Sequence, residues 1–156
     1  MGGDSCRFWS KVNITSSMGR ILAIDYGKKR TGIAVSDPLQ MIATGLDTIE
    51  TKKLFEFIKS YFEQEEVEEV VLGEPLLENG EASENLPRVL TFIAKFKEIY
   101  PSIKVTLQDE RYTSREAKRT IIQSGINKKK RRDKSLVDKI AAVIILQQYI
   151  EKKHYT

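Results

Sequence analysis

The feature that most constrains the fold is a change of hydrophobic period near residue 50. Before it, three short apolar segments are separated only by turn residues and predict strands at 20–25, 31–36 and 40–48. Gly27 and the dipeptide Asp37-Pro38 mark the two turns. Strands joined by such short connections pair antiparallel, so this part of the chain predicts a three-strand meander.

After residue 50, helical and strand patterns alternate. Residues 54–62 carry apolar side chains at helical spacing, 69–72 form a short apolar strand, and a second helix begins near Leu86 and ends before Pro101. A strand at 103–107, a helix at 113–124 with a Thr-x-x-Glu capping box, and a final helix at 135–152 complete the pattern. The order β-β-β-α-β-α-β-α-α predicts an α/β fold with a five-stranded mixed sheet, the meander plus two further strands, flanked by helices.

The chain length of 156 residues is that of a single domain. Residues 1–17 show no helical or strand period and no apolar core of a secretory signal, so we expect a disordered or cloning-derived extension. Residues 18–156 are then expected to form one domain. With no export signal and no apolar stretch of about 18 residues, the sequence favours a cytoplasmic protein.

Composition excludes several kinds of catalytic site. The chain has one cysteine, Cys6, and one histidine, His154. A disulfide framework, a thiolate zinc cluster, a Ser-His-Asp triad and a multi-histidine metal site are therefore excluded. Any metal bound by this chain must be held by oxygen ligands.

Positive charge is concentrated in one segment. The net charge is +4, but residues 128–134 alone contain six cations and one acid, so the rest of the chain is slightly negative. A basic cluster of this kind is typical of a loop that contacts phosphates. A solvated charged surface explains the same pattern about equally well.

Acidic residues stand at the ends of several predicted elements. Asp25 ends the first strand, Asp109 and Glu110 end the last strand, and Asp138 lies in the first turn of the final helix. Taken singly, each is explained by a turn, a local ion pair or the helix dipole. Taken together, carboxylates at strand ends are well placed to share an oxygen-rich site for Mg²⁺ or Mn²⁺.

The final helix gives further support to that site. Asp138 shares a helical face with Ala141 and Ala142. Small side chains allow this face to approach the sheet closely and to bring Asp138 inward. An ordinary alanine-rich packing seam accounts for the alanines but not for an acid among them.

Four motifs resemble the YqgF/RuvX family and follow one another in the order found there. They are DYGKKRTGIAVSD at 25–37, GEPL at 73–76, DERYTS at 109–114 and VDKIAAVIILQQYI at 137–150. Members of that family are similar to the Holliday junction resolvase RuvC and have an RNase H-like fold. The resemblance, from Met18 to about residue 152, implies that fold and a nuclease. Maturation of the 5′ end of 16S rRNA is the family's proposed role, and junction resolution is the older proposal.

By position in these motifs, Asp25, Glu110 and Asp138 correspond to the family's catalytic, metal-binding acids, which implies Mg²⁺ or Mn²⁺ as cofactor. Strand alternation places Asp109 with the apolar side chains of the last strand, so Glu110 is favoured as the ligand. Glu74 stands where the family more often has an apolar residue. It is interpreted either as a supplementary metal ligand or as an exposed side chain.

The resemblance implies metal-assisted hydrolysis of phosphodiester bonds, with structured RNA such as pre-16S rRNA, or branched DNA, as partner and no membrane. Basic residues close to the acids or in the charged segment are the candidate nucleic-acid contacts: Lys28, Lys29, Arg30, Arg111, Arg115, Lys128, Lys129, Lys130, Arg131 and Arg132. For residues 28–30 the alternative is an exposed hairpin turn.

Two competing functions remain open at this point. A non-catalytic nucleic-acid-binding module would keep the basic residues without activity. An actin-like ATPase also places Asp-x-Gly after its first strand, but such proteins need two domains to enclose a nucleotide, and this chain has the length of one.

Overall fold

A computed structural model of the protein describes residues 19–77, 79–109 and 134–154. Within these ranges the elements are β1 Arg20–Tyr26, β2 Arg30–Ser36, β3 Ala43–Glu50, α1 Leu54–Gln64, β4 Val67–Glu74, α2 Leu86–Ile99, β5 Lys104–Asp109 and α3 Lys134–His154. A single 3-10 turn, Thr51–Lys53, precedes α1. The expected extension at 1–17, the predicted helix at 113–124 and residues 128–133 of the basic segment lie outside the described residues.

The five strands form one mixed sheet in the order β3-β2-β1-β4-β5. β1 pairs antiparallel with β2, and β2 with β3, whereas β1–β4 and β4–β5 are parallel. The predicted α/β fold is confirmed, with the meander at one side and two parallel strands at the other. This strand order and these helices are the RNase H-like arrangement that the sequence resemblance implies.

Two strands differ most in extent from the prediction. β3 begins at Ala43 rather than residue 40, because residues 37–42 form a loop in which Asp37 Oδ1 accepts the backbone N–H groups of Met41 and Ile42. Gln40 adopts a left-handed backbone (φ 59°) there and buries its side chain. β4 extends over Val67–Glu74, beyond the apolar run at 69–72.

Each face of the sheet has its own hydrophobic core, as strand alternation requires. Leu22 and Ile24 of β1 face α1 and α2, where they pack with residues such as Phe96. Ile21 and Ala23 face α3 and belong to the second core. The α3 side of that core consists of Ala142, Ile145, Leu146, Tyr149 and Ile150. The predicted close approach of the alanine face of the last helix is therefore confirmed.

A buried carboxylate fixes the carboxyl-terminal half of α3 to the sheet. Glu69 of β4 is 2% exposed and accepts hydrogen bonds from the Tyr149 hydroxyl and from Thr106 Oγ1 (3.0 Å). Lys153 Nζ lies 3.3 Å from Glu69 Oε1 and also donates to Gln40 Oε1 (3.0 Å). Burial, together with the hydrogen bond to Glu69, raises the pKa of Tyr149 to about 12.

Among the helices in the described ranges, none is both long enough and apolar enough to cross a lipid bilayer.

Candidate active site

A glycine allows the backbone of Asp138 to approach β2 at the residue that pairs with Asp25. In the β1–β2 ladder, Asp25 pairs directly with Gly32, and alternation puts both on the α3 side of the sheet. A Cβ atom on Gly32 would overlap the backbone carbonyl oxygen of Asp138. The first turns of α3 therefore lie directly against β2, beside the carboxyl end of β1. This close approach places the two acids on one face, at one edge of the sheet.

The sequence contains an indication of this contact that does not depend on the comparison of motifs. Gly32 lies within a buried strand, between the β-branched residues Thr31 and Ile33, where glycine costs stability because it has no side chain to pack. An isolated glycine in a strand often marks the close approach of another backbone. Here the approaching backbone is that of Asp138.

Asp138 is paired with Arg30 in the structure. Arg30 Nε lies 3.2 Å from Asp138 Oδ2, and the two side chains are 41% and 27% exposed. Arg30, predicted to contact phosphate, thus lies inside the acidic site. A metal ion at Oδ2 requires this ion pair to open. Pairs with this degree of exposure contribute only about 0–1 kcal/mol to stability, so this pair can open at little cost.

The other two strand-end acids occupy the opposite face of the sheet. Glu74 of β4 is the register partner of Asp109 of β5. Val105 and Leu107 pack against the core under α1 and α2, and alternation gives Asp109 the same side. Glu74 shares that side with Leu72. The expected position of Asp109 thus agrees with the register.

The described residues do not provide a metal site with three protein ligands. In residues 19–77, 79–109 and 134–154, no three His, Cys, Asp or Glu side chains lie together in a metal-binding group. Glu74 therefore does not complete such a group with Asp25 and Asp138. Glu110, the third acid predicted from the motifs, lies outside the described residues.

The two acids that do lie on one face are chemically suited to Mg²⁺ or Mn²⁺. Carboxylate oxygens are the ligands that these hard cations prefer. Mg²⁺ in phosphoryl-transfer sites is commonly held by one or two carboxylates, water and substrate phosphate oxygens. Asp25 and Asp138 fit that pattern without a third protein ligand, and Glu110 would strengthen it.

A basic concavity of about 410 Å³ has Arg30, the partner of Asp138, in its lining. Lys28, Lys29 and Arg30 line it together with Glu50 and Lys52. Lys52 Nζ lies 3.3 Å from Glu50 Oε2, so one cation is partly neutralised. Lys52 was not predicted from the sequence, because it precedes α1 and has no neighbouring motif.

Thr51 fixes the turn that carries these cations. Its backbone N–H donates to the Lys29 carbonyl (2.9 Å), and its hydroxyl donates to the Gly27 carbonyl (2.6 Å). The hydroxyl of Thr31 lies 2.9 Å from that of Thr51. The basic turn is thus tied to the start of α1. The remaining predicted contacts are outside the described residues: Arg111, Arg115, Lys128, Lys129, Lys130, Arg131 and Arg132.

Comparison with known proteins gives consistent matches. The profile of the RuvX family, described as Holliday junction resolvase, matches residues 19–152. A candidate pre-16S rRNA nuclease of Porphyromonas gingivalis is 54% identical over 134 residues, covering 86% of this chain and 97% of its own length. Proteins of the same name from Bacteroides thetaiotaomicron and Flavobacterium johnsoniae are 50% and 49% identical over 138 residues, each covering 88% of this chain and 100% of their own length.

Proposed function

Because this chain belongs to the RuvX family, we propose that it is a divalent-metal-dependent nuclease that hydrolyses phosphodiester bonds during 5′-end maturation of pre-16S rRNA. The observation that carries the proposal is the approach of Asp138 to Gly32, the ladder partner of Asp25. It brings two acidic residues from distant parts of the sequence to the same end of β1. The rRNA substrate follows from the names of the relatives.

In this proposal Asp25, Asp138 and Glu110 hold Mg²⁺ or Mn²⁺. The bound metal would supply a lowered pKa for the attacking water and charge stabilisation at the phosphate. Asp25, at the end of a central strand, is held in the sheet by its pairing with Gly32 of β2. Asp138 is carried by a helix packed tightly on β2. Both acids are thus on rigid elements, which favours a preorganised site.

The basic residues have a separate role in the proposal. Lys28, Lys29 and Lys52 line the concavity next to Asp25 and would bind phosphates flanking the scissile bond. Arg30 would exchange its contact with Asp138 for a phosphate when metal and substrate bind. The cations at 111, 115 and 128–132 are proposed to extend this surface. Phosphate contacts position the substrate without reading its sequence.

Branched DNA is the second candidate substrate, because the matched profile carries the description Holliday junction resolvase. The acidic site and basic concavity act on phosphates and are compatible with either nucleic acid. A cleavage assay therefore has to compare pre-16S rRNA, a four-way DNA junction and plain duplexes in parallel, each with Mg²⁺, with Mn²⁺ and with EDTA.

The expected result is metal-dependent cleavage near the 5′ end of the rRNA precursor and none in EDTA. Preferential cleavage of the junction would assign the second substrate instead. Binding of nucleic acid without cleavage under any of these conditions would contradict the nuclease proposal and favour a non-catalytic binding module.

A further inference from the structure

A second cavity, of about 380 Å³, opens where the end of β1 meets α1 and α2. Its walls include the aromatic rings of Tyr26, Phe55 and Phe92, and its lining also contains Arg88 and Lys95, both exposed. The volume is within the range of small-ligand sites. None of these residues belongs to the motifs from which the acidic site was predicted, apart from Tyr26.

The aromatic walls are held by packing. Phe92 is 4% exposed, and its ring centroid lies 4.9 Å from that of Phe55 and 5.4 Å from that of Tyr26. Phe55 and Tyr26 are only partly buried. Phe92 therefore forms the fixed floor, and two further rings stand at the surface where a planar ligand can reach them.

One face of the Phe55 ring is in contact with the flexible side chain of a lysine. Lys95 Nζ is 4.9 Å from the centroid of the Phe55 ring. A flat aromatic ligand would stack on that face and displace the flexible lysine side chain. The ammonium group would then remain at the rim of the cavity, where Arg88 is also placed, and could contact an anion attached to the ligand.

The cavity and the acidic site lie at the same end of β1. Tyr26 directly follows Asp25, and strand alternation puts the two side chains on opposite faces of the sheet. Asn85, just before α2, donates from Nδ2 to the Tyr26 carbonyl (2.6 Å) and ties the helix to this strand end. A nucleic-acid strand with a phosphate at Asp25 would therefore only have to pass around the end of β1 to place a nearby base in the cavity.

We propose that this cavity binds one unpaired base of the nucleic-acid substrate, stacked on Phe55 and Tyr26, with Arg88 and Lys95 at the adjoining phosphates. The inference rests on the proposed nuclease function, which it deepens by naming the substrate as a strand with at least one unpaired nucleotide. A base within a continuous duplex cannot enter, because both of its faces are stacked and its edge is paired. The site thus selects single-stranded or frayed segments.

Binding of short oligonucleotides in EDTA tests the proposal without cleavage. The probes are a single-stranded RNA, a single-stranded DNA and an RNA duplex of one sequence, each with 2-aminopurine at successive positions. Stacking quenches 2-aminopurine fluorescence, so wild-type protein should quench the labelled single strands and leave the duplex unchanged. Phe55→Leu keeps an apolar side chain but removes the stacking face. It should lose that quench and weaken single-strand binding about tenfold, with duplex affinity unchanged at equal salt.

A pair of charge reversals on α2 supplies the matched control. Lys95 and Lys97 are both exposed, but only Lys95 lines the cavity. Lys95→Glu should weaken single-strand binding several-fold more than Lys97→Glu, although both change the net charge equally. Equal effects of the two variants would overturn the assignment of Lys95 to the cavity rim.

Other outcomes also decide between the two proposals. An equal loss of single-strand and duplex affinity in Phe55→Leu, or an unchanged quench, would refute the stacked base. An effect limited to RNA would refute stacking as well, because stacking does not depend on the 2′-hydroxyl. Wild-type protein that shows the quench but cleaves no substrate would refute the nuclease function and support the base-binding cavity. Cleavage without any quench would refute the base-binding cavity and support the nuclease function.

Discussion

The two ends of α3 both bring a carboxylate and a cation together, but in different environments. Near the carboxyl terminus of the helix, Glu69 is 2% exposed and bound by the Tyr149 hydroxyl and Lys153. Near its amino terminus, Asp138 is 27% exposed and its Oδ2 is paired with Arg30. Removing the partners of a buried carboxylate destabilises the protein, whereas a half-exposed carboxylate can exchange its partner at little cost.

This difference indicates how one helix combines stability with chemistry. Tyr149, Ile145 and Leu146 are buried in the core and hold the helix in register. The first turns depend on a backbone contact at Gly32 and an exposed ion pair, so the carboxylate of Asp138 can change ligands without moving the helix. We therefore expect substitutions at the amino end to affect activity and those at the carboxyl end to affect stability.

The largest effect is expected for Asp25→Asn. Loss of a metal-ligating charge removes several kcal/mol of transition-state stabilisation, so cleavage in Mg²⁺ should fall at least about a thousandfold. The far-UV circular dichroism spectrum should not change, because the amide has the same shape as the carboxyl group and the fold is kept. Asp47→Asn, at an exposed position of β3, is the control and should retain activity. Equal activities of wild type and Asp25→Asn would refute the assignment of the metal site.

Gly32→Ala tests whether the close approach of α3 builds the site. The added methyl group overlaps a backbone carbonyl that cannot rotate away, so we expect a loss of about 1–3 kcal/mol in the free energy of unfolding. The displaced Asp138 should also reduce kcat about a hundredfold in the folded protein, since small misplacements of reacting groups cost that much.

Gly45→Ala in β3 is the matched control for this prediction. A Cβ at that position would meet the flexible Lys139 side chain, with Cγ at 2.9 Å, as well as Val143 Cγ2 at 3.3 Å. The lysine can move, so both the stability and the activity should change far less than in Gly32→Ala. Similar kcat values for the two variants would show that helix position does not control the site.

The order of the elements along the chain and the face of the last helix could be predicted from the sequence because they depend on local periodicity. The predicted face of Asp109 agrees with the register for the same reason. The ion pair between Arg30 and Asp138 could not be predicted, since it joins residues 108 positions apart and depends on tertiary packing. The burial of Glu69 could likewise not be predicted, because a glutamate at the start of a strand is usually exposed to solvent.

The carboxyl end of the helix should respond to high pH. Tyr149 has a pKa of about 12 in the folded protein, above the usual value of 10, so its contribution to stability is complete below pH 10. That contribution is lost as the pH rises towards 12, because the unfolded chain releases the phenol proton first. The loss should amount to roughly 1–2 kcal/mol.

Urea unfolding of wild type and Tyr149→Phe at pH 8, 10 and 11.5 measures this contribution. Lys153 and Lys104 also lie near Glu69, so only the difference between the two proteins reports on Tyr149. The difference should shrink as the pH rises. A constant difference would show that the hydroxyl does not titrate differently in the folded and unfolded states.

The smallest effect on stability is expected for Arg30→Gln, which removes the guanidinium from the acidic site. Because the pair is half exposed, the free energy of unfolding should change by less than about 1 kcal/mol.

The effect of Arg30→Gln on metal binding is more informative. Without a competing cation at Oδ2, Mn²⁺ should bind roughly fivefold more tightly, as expected for about 1 kcal/mol of charge repulsion through solvent. Arg20→Gln, whose partner Glu65 lies 3.3 Å away at the opposite end of β1, is the control. It should leave Mn²⁺ affinity unchanged, and weaker Mn²⁺ binding in Arg30→Gln would show that Arg30 supports the site instead of competing for it.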